Sequence, residues 1–469
     1  MSEQTHDAGE GAQSRNPATG AIIERFAFAD TRATNDIMDA AQSGFEAWRA
    51  VPPADRAPVL QRFAANLRAQ EHAIALTITA EMGKTLAESR AEVAKCASQA
   101  DWYAERGPAL LSDERAPVET HEVSVSYRPT GLVLGIMPWN FPLWQAVRAA
   151  VPILLGGNGF LLKPAPNVMR SALTLAACWN EAGAPNGLFA VLNIGHHDIE
   201  RIIHDPRICG VTLTGSPRAG AAVASLAGAA LKPSVLELGG SDPFIVLADA
   251  DLDSAVAAGI ASRFGNCGQV CIAAKRFLLE RSIAGAFTER FIAAARALAV
   301  GDPTHPETRM GPMARADLRD ELHRQVADSV HAGARLSLGG HAIEGPGNFY
   351  APTVLERVRP GMVAFDAETF GPLAALTVVD DADEAVALAN TSAYGLGGNL
   401  WTADLARART MARALHTGGV FINGTTASDP RWPIGGVGRS GYGRELSHFG
   451  LRSFLNAQVV SVRPPPSQV

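Results

Sequence analysis

Cys271 ends a polar, glycine-containing segment, FGNCGQVC, that spans residues 264–271. A thiolate is a strong nucleophile, and the backbone N–H groups of such a segment can stabilise its negative charge. The pattern therefore indicates a partly exposed thiol that can attack an electrophilic carbon. The alternative is a small cysteine that only fills space in a core.

Glu237 lies between Leu236 and Leu238, and glycines follow at positions 239 and 240. Apolar surroundings raise the pKa of a carboxyl group and prepare it to accept a proton near neutral pH. This environment predicts a general base. The alternative is a carboxylate at a strand end that faces solvent or pairs with a lysine.

Asn140 stands at the centre of the segment PWNFP, residues 138–142, directly after an apolar strand pattern. Two prolines and two aromatic residues hold the asparagine rigidly, and its side-chain NH2 can donate to a developing oxyanion. The alternative is a structural turn in which the Asn140 amide satisfies nearby carbonyl groups.

Two further features are typical of a nucleotide site. Gly215 and Ser216 begin the segment GSPRAG, which follows the strand pattern VTLT and opens a helix. Glycines at such a position let a diphosphate approach free N–H groups at the helix start. Lys163 ends another strand pattern, where it can reach a ribose or a phosphate. The segment is not GxGxxG, and a plain strand-to-helix turn would look much the same.

Composition limits the class of protein. The 469 residues allow two or three domains, and the net charge of −6 comes without a basic block, which argues against a nucleic-acid partner. The start, residues 1–16, resembles no signal peptide and is expected to be disordered, and no apolar run reaches the roughly 18 residues of a membrane span. Five cysteines without a CxxC pair predict a reducing cytoplasm, and His196–His197 lack the spacing of a metal site.

The order of patterns predicts an α/β fold. Amphipathic helices are expected over residues 33–49, 56–80 and 85–106, followed by a half-exposed strand over 119–127. Three strand-to-helix units then begin near residues 132, 159 and 210, an alternation typical of a doubly wound parallel sheet. A second α/β unit begins after a boundary between Leu238 and Ser241. The last strand pattern, 457–462, is expected to pair with the 119–127 strand in a sheet shared between subunits.

Seven segments occur in one order between Asn16 and Asn456: PWNFP, LLKPAP, TLTGS, LELGG, GQVC, ETFGP and GGVGRSGYGRE. Together they resemble the aldehyde dehydrogenase superfamily, and the strings LLKPAPNVM and GRELSHFG are most similar to bacterial succinate-semialdehyde dehydrogenases. The resemblance implies two doubly wound α/β domains and a small β oligomerisation element. We expect 1–115 with 131–238 to bind the dinucleotide, 239–454 to form the catalytic domain, and 116–130 with 455–469 to supply oligomerisation strands of a homodimer or homotetramer.

The same resemblance implies roles for single residues. Cys271 is the nucleophile that forms a thioester with the aldehyde, Glu237 is the base that activates water for its hydrolysis, and Asn140 is the side-chain donor to the oxyanion. Six positions match those that hold the dinucleotide: Trp139, Lys163, Gly215, Ser216, Leu238 and Glu368. The implied reaction is the NAD(P)-dependent oxidation of an aldehyde, succinic semialdehyde being the expected one.

The sequence departs from the family pattern at two positions. Pro166 stands where NAD-preferring relatives carry a glutamate that binds the adenosine ribose, so NAD and NADP are both expected as cofactors. Gly265 stands where another branch carries an arginine for the substrate carboxylate. The cation is then expected from Arg148, with Ser428, or from Arg431. Either arginine could instead be an ordinary salt-bridge partner.

Two other functions stay open on the sequence alone. A catalytically silent relative would serve as a structural or binding protein, but Cys271, Glu237 and Asn140 are all present. A CoA-acylating semialdehyde dehydrogenase would transfer the acyl group to CoA, but relatives with that activity lack the glutamate that matches Glu237.

Overall fold

The structure is a computed structural model that describes residues 11–463, and it begins with a hairpin and four helices. These elements are β1 (Gly11–Arg15), β2 (Ile22–Ala27), α1 (Thr31–Arg49), α2 (Pro53–Ala69), α3 (Glu71–Met82) and α4 (Leu86–Leu110). The Asp30 carboxylate accepts the Ala33 N–H and starts α1. Thr85 and Glu88 form a reciprocal capping box at the start of α4, so the polar residues before each apolar pattern fix where these helices begin.

Two predictions for this region are wrong. Residues 11–15, expected to be disordered, pair with β2, and the Ser14 hydroxyl donates to the buried Glu81 carboxylate. The helix expected over 56–80 is divided at Gln70, whose φ of −105° and ψ of 10° interrupt the helical path. Apolar residues occur at helical spacing both before and after Gln70. The hydrophobic pattern therefore does not predict that one helix ends and another begins there. Residues 1–10 lie outside the described residues.

The first parallel sheet follows a short hairpin. The elements are β3 (Glu114–Arg115), β4 (Glu122–Pro129), β5 (Leu132–Met137), α5 (Trp144–Leu155), β6 (Gly159–Pro164), α6 (Met169–Glu181), β7 (Phe189–Val191), α7 (Ile199–His204), β8 (Ile208–Thr214), α8 (Pro217–Ala229) and β9 (Ser234–Glu237). The five parallel strands lie in the order β7-β6-β5-β8-β9. The chain moves outward from β5 to β7 and returns to β8 on the other side of β5. The strand order therefore reverses between β5 and β8, where α/β proteins bind ligands.

A second, seven-stranded sheet is built by the next part of the chain. Its elements, with one short extra strand, are β10 (Asp242–Val246), α9 (Leu252–Phe264), β11 (Ala274–Glu280), α10 (Arg281–Arg296), α11 (Ala316–His331), β12 (Arg335–Leu338), β13 (Thr353–Glu356), α12 (Val363–Asp366), β14 (Leu373–Val379), α13 (Ala382–Ala389), β15 (Tyr394–Gly395), β16 (Gly397–Trp401), α14 (Leu405–Ala414) and β17 (Gly419–Ile422). The order is β12-β13-β14-β11-β10-β16-β17, and only β12 is antiparallel to its neighbour. The predicted class, α/β with two doubly wound sheets, is confirmed.

The end of the chain returns to the first half of the molecule. Its elements are β18 (Val437–Gly438), β19 (Gly441–Tyr442), α15 (Ser447–Arg452) and β20 (Leu455–Val462). β19 extends the first sheet beside β9, and β20 pairs with β4 over its full length. The expected pairing of the last strand with the strand near residue 120 is therefore present.

This return changes one expected domain boundary. The predicted division between Leu238 and Ser241 falls between β9 and β10. The catalytic range was predicted to extend to residue 454, but Leu451 and Phe454 pack in the core beneath the first sheet. The cause is the apolar face of α15, which covers α5 rather than the second sheet. The rest of the division stays a prediction. Across residues 11–463, no helix has both the length and the apolar character needed to cross a bilayer.

Candidate active site

A buried carboxylate orients the turn that carries Asn140. Glu92, on α4, accepts the N–H groups of Leu143 and Trp144 at 2.9 Å each, at the start of α5. Its second oxygen lies 2.6 Å from Nζ of Lys84, which is also buried. The unpaired N–H groups of a helix start favour a negative charge. The sequence did not reveal this support, because Glu92 looks like any other charge on an amphipathic helix.

Asn140 is joined to the cysteine segment by two hydrogen bonds. The Asn140 side-chain amide donates to the Gln269 carbonyl at 3.0 Å, and the Asn266 amide donates to the Asn140 carbonyl at 2.9 Å. Asn140 is buried. An asparagine NH2 has two hydrogens, and only one is used here. The side chain therefore stabilises the turn and keeps a second donor hydrogen, so the two predicted uses of Asn140 are compatible.

A strained turn precedes Cys271. Asn266, Cys267 and Gly268 have φ values of 53°, 54° and 70°. A left-handed conformation is uncommon for residues other than glycine and often occurs at functional sites. A Cβ at Gly268 would lie 2.3 Å from the Gly371 carbonyl oxygen, so only glycine fits. Beyond the turn the two thiols differ, because Cys267 is buried in the second core whereas Cys271 is only half-buried.

The Cys271 thiol has a raised pKa. Burial raises it to about 11, and the positive charges of Arg148 and Lys275 act against this rise. The Lys275 ammonium is buried and donates to the carbonyls of Cys271 at 2.7 Å and Val270 at 2.9 Å. The resting form at neutral pH is therefore the thiol, with a lysine fixing the backbone that carries it. This role of Lys275 could not be predicted from the sequence, because the residue stands at the start of an apolar strand without a motif around it.

Glu237 lies at the end of β9 in a buried group of charges. Its Oε2 is 3.9 Å from the Arg148 guanidinium, and its Oε1 has no hydrogen-bond partner among the described residues. The Arg148 guanidinium forms an ion pair with Glu445 and donates to the Thr214 hydroxyl at 3.1 Å. Burial raises the pKa of Glu237 to about 7, which Arg148 opposes and Glu445 reinforces. The geometry therefore prepares Glu237 to change its protonation state near neutral pH.

Glu237 and Cys271 belong to one site. Gly240 follows Glu237 closely, and a Cβ there would lie 2.6 Å from the Cys271 carbonyl oxygen. The Glu237 carboxylate raises the pKa of the Cys271 thiol, and the thiolate in turn favours the charged form of Arg148. The three residues expected to carry the chemistry are thus connected through the cysteine segment, with Asn140 hydrogen-bonded to it.

Arg148 does not match the prediction that it holds a substrate carboxylate. Its side chain is only 3% exposed and lies between Glu237 and Glu445. A carboxylate from solvent would have to displace these partners and leave a buried negative charge unpaired. Because Glu445 is distant from Arg148 in the sequence, their ion pair could not be predicted from the sequence. The alternative, an arginine used in an internal salt bridge, is the arrangement observed.

Arg431 does not match its predicted role either. Its side chain is 65% exposed, and it donates to the Asp429 carboxylate at 2.7 Å, through both Nε and Nη2. The guanidinium therefore forms a local surface pair. Ser428 is buried and accepts a hydrogen bond of 2.7 Å from the Lys95 ammonium. Ser428 thus has a cationic neighbour, but that neighbour is Lys95 on α4, which no sequence motif marks.

The residues expected to hold a dinucleotide lie at the carboxyl ends of the first sheet. Lys163 is near the end of β6, and Gly215 follows β8, beside the reversal of strand order. The Ser216 hydroxyl accepts the Ala219 N–H and starts α8. A Cβ at Gly220 would lie 2.5 Å from the Leu238 side chain, so this helix start can approach β9 only with glycine there. Lys163, Gly215 and Ser216 thus lie with the start of α8 at the carboxyl ends of the strands, and we call this place the cradle. The helix start within it fits a dinucleotide diphosphate.

Three other residues are expected to hold the dinucleotide: Trp139, Glu368 and Pro166. Trp139 contacts Phe370 edge to face, with ring centroids 5.8 Å apart. The Glu368 carboxylate accepts the Gly240 N–H at 3.0 Å and lies 3.7 Å from the Lys275 ammonium. Pro166 opens a single 3₁₀ turn, Pro166–Val168, directly after β6. No carboxylate belongs to that turn. Among residues 11–463, no group of three or more His, Cys, Asp or Glu side chains has a metal-binding arrangement.

Comparisons with known proteins agree with this architecture. Residues 4–460 match the Aldehyde dehydrogenase family. A succinate semialdehyde dehydrogenase [NAD(P)+] of Escherichia coli is 54% identical over 96% of this chain and 97% of that protein. A succinate-semialdehyde dehydrogenase [NADP(+)] of Mycolicibacterium paratuberculosis is 46% identical over 95% of each chain. The crystal structure of succinic semialdehyde dehydrogenase from Streptococcus pyogenes with NADP+ superposes with a TM-score of 0.94 at 34% identity, covering 97% of this chain and all of that one.

Proposed function

Because the chain belongs to the aldehyde dehydrogenase family, we propose that it oxidises succinic semialdehyde to succinate with NAD⁺ or NADP⁺. The observation that carries the proposal is the connection of Cys271, Asn140 and Glu237 through the cysteine segment. The substrate is inferred from the relatives named succinate-semialdehyde dehydrogenases, which are similar over nearly their whole length.

The first half of the proposed reaction uses Cys271 and Asn140. The thiol loses its proton, for which Glu237 is a suitable acceptor, and the sulfur adds to the aldehyde carbon. The carbonyl oxygen becomes an oxyanion that the free hydrogen of the Asn140 amide and the Cys271 N–H stabilise. When bound, the nicotinamide supplies the acceptor for the hydride that leaves this carbon. A thioester on Cys271 remains.

The second half uses Glu237. After Glu237 has released the thiol proton to solvent, its carboxylate takes a proton from water and the resulting hydroxide attacks the thioester carbon. The Cys271 sulfur then departs and the acid is released. The pKa of about 7 leaves a substantial fraction of Glu237 unprotonated at neutral pH. The presence of this base favours water over CoA as the acceptor of the acyl group.

The proposed cofactor site is the cradle at the carboxyl ends of β5, β6 and β8. Its residues are Trp139, Lys163, Pro166, Gly215, Ser216, Leu238 and Glu368. The start of α8 would receive the diphosphate, and Lys163 would reach the ribose or its phosphate. Because Pro166 has no charge, neither NAD nor NADP is repelled at that position.

Replacement of Pro166 by glutamate is expected to raise the ratio of kcat/KM with NAD to kcat/KM with NADP by roughly tenfold or more. The new carboxylate would accept a hydrogen bond from the ribose and repel a 2′-phosphate. Steady-state kinetics with both cofactors measure the ratio. Pro166→Gln is the matched control, because it removes the ring without adding charge. A ratio that is the same in both variants and the wild type would show that this turn does not approach the ribose.

We further propose a homo-oligomer, dimer or tetramer, assembled through β20. This strand is the edge of a three-stranded sheet and exposes Val459, Val460 and Val462. An exposed apolar edge strand favours pairing with another chain. The five cysteines are all unpaired, which supports the cytoplasm as the compartment.

A panel of aldehydes tests the proposed substrate. We expect kcat/KM for succinic semialdehyde to exceed that for butanal by roughly ten- to a hundredfold, the effect of one charge-assisted contact. Both aldehydes have four carbons, so the comparison isolates the carboxylate. Each is assayed with NAD and NADP, and the acid product is identified without and with CoA. Equal values for the two aldehydes would leave only a general aldehyde dehydrogenase.

A further inference from the structure

Lys95 occupies an unusual position for a lysine. Its ammonium lies 4.0 Å from the centre of the Trp144 ring and donates to the Ser428 hydroxyl at 2.7 Å. The side chain is exposed to solvent, whereas Trp144 and Ser428 are both buried. Burial and, second, the Arg148 charge lower the pKa of Lys95 to about 8, and the charges of Glu92 and Asp429 act against this fall. Water can reach the Lys95 side chain, but the protein around it lowers its pKa. The ammonium therefore lies in a recess of the surface.

Among residues 11–463, no carboxylate oxygen lies within 4.0 Å of the Lys95 ammonium, although the charges of Glu92 and Asp429 act on it from farther away. Four other cations of this region each have an acidic partner: Lys84, Arg148, Lys275 and Arg431. A cation that water can reach and that no carboxylate contacts directly can accept an anionic ligand from solvent. The contacts with Trp144 and Ser428 hold the ammonium in place without a carboxylate in direct contact with it.

The position of Lys95 relates it to the reacting groups. Trp144 begins α5, four residues after Asn140 and one helical turn before Arg148. Arg148 is close enough to both residues for its charge to lower the pKa of Lys95 and to oppose the rise in the pKa of Cys271. Ser428 lies in the segment that leads to Ile434, which pairs with Glu445, the partner of Arg148. A cation and a hydroxyl therefore lie together beside the group that contains Glu237.

We propose that Lys95 and Ser428 bind the distal carboxylate of the substrate, an inference that rests on the proposed function. The Lys95 ammonium has two further N–H groups after its bond to Ser428, and the Ser428 hydroxyl can donate its own hydrogen. Together they offer donors for both carboxylate oxygens. Lys95 thus takes the role that the sequence suggested for Arg148 or Arg431, and the ligand class is an aldehyde with a carboxylate at its far end.

The test is Lys95→Met, which keeps the length of the side chain and removes the charge. We expect the ratio of kcat/KM for succinic semialdehyde to kcat/KM for butanal to fall roughly ten- to a hundredfold, with most of the loss in KM. Lys95→Arg should keep part of the ratio. Arg431→Met removes a neighbouring exposed cation and is the matched control, for which the ratio should change less than about twofold.

A second measurement does not depend on turnover. Succinate is the proposed product, and its inhibition constant should rise in Lys95→Met by a factor similar to the rise in KM. A ratio and an inhibition constant equal to those of the wild type would overturn the role of Lys95 while leaving the proposed function intact. A wild-type enzyme that prefers butanal would overturn both. An equal loss with both aldehydes would show a structural role instead of carboxylate binding.

Discussion

Replacement of Cys271 by alanine is expected to lower aldehyde oxidation by at least about 10⁴-fold, since the proposed thioester forms on its sulfur. Dinucleotide binding should remain nearly intact, because the proposed cradle lies on the first sheet and does not use the sulfur. Initial-rate assays give the loss of kcat, and titration of NAD(P)H fluorescence gives the dissociation constant.

Cys267→Ala is the matched control for this experiment. Cys267 belongs to the same turn, but burial raises its thiol pKa well above the ordinary value, and the side chain packs in the second core. We expect this variant to retain most of the activity, with a small loss of stability. Dehydrogenase activity above a trace in Cys271→Ala would contradict the covalent mechanism.

The parts of the site that the sequence predicted are those that local motifs define. Asn140 is held between two prolines, Glu237 ends an apolar strand, and the turn before Cys271 needs a glycine at 268. In each case the neighbours along the chain determine the environment of the side chain. The strand-to-helix units of both sheets were predictable for the same reason, because their apolar periodicity is local.

The roles of the charged residues could not be predicted in the same way. Arg148 lies eight residues after Asn140, a spacing that suggests a role in substrate binding. In the structure its guanidinium pairs with Glu445, which lies near the C-terminal end of the chain. In the sequence, Lys95 is one of several charged residues on an amphipathic helix. Only the structure shows that its ammonium contacts Ser428 and Trp144. An ionic partner depends on tertiary structure, and the same residue type can bind a ligand or close an internal pair.

The buried charges around Glu237 support its proposed role as a base. Arg148 lies between two carboxylates, Glu237 and Glu445. Its single positive charge can fully compensate the negative charge of only one of them. Glu445 forms the closer contact and receives a hydrogen bond of 3.0 Å from Thr212, whereas Glu237 is 3.9 Å away with a free oxygen. The weaker compensation leaves the pKa of Glu237 raised, as the proposed hydrolysis requires.

Glu237→Gln is therefore expected to separate the two halves of the reaction. The amide keeps the shape of the side chain, and Arg148 retains Glu445, so no buried cation loses its only partner. Acylation should proceed where another base, such as solvent hydroxide, takes the thiol proton, and hydrolysis should slow by roughly 10²- to 10⁴-fold. Stopped-flow measurement at mildly alkaline pH should show a burst of about one NAD(P)H per active site, followed by slow turnover.

The pH dependence distinguishes a loss of the base from a general disturbance. In the wild type, hydrolysis should become faster as the pH rises through about 7, because only unprotonated Glu237 can take a proton from water. Glutamine does not titrate, so this inflection should disappear from the rate of thioester hydrolysis in the variant. Cys271→Ala, which forms no thioester, should give no burst at any pH. A Glu237→Gln enzyme with normal steady turnover, no burst and the same inflection would mean that a different residue activates the water.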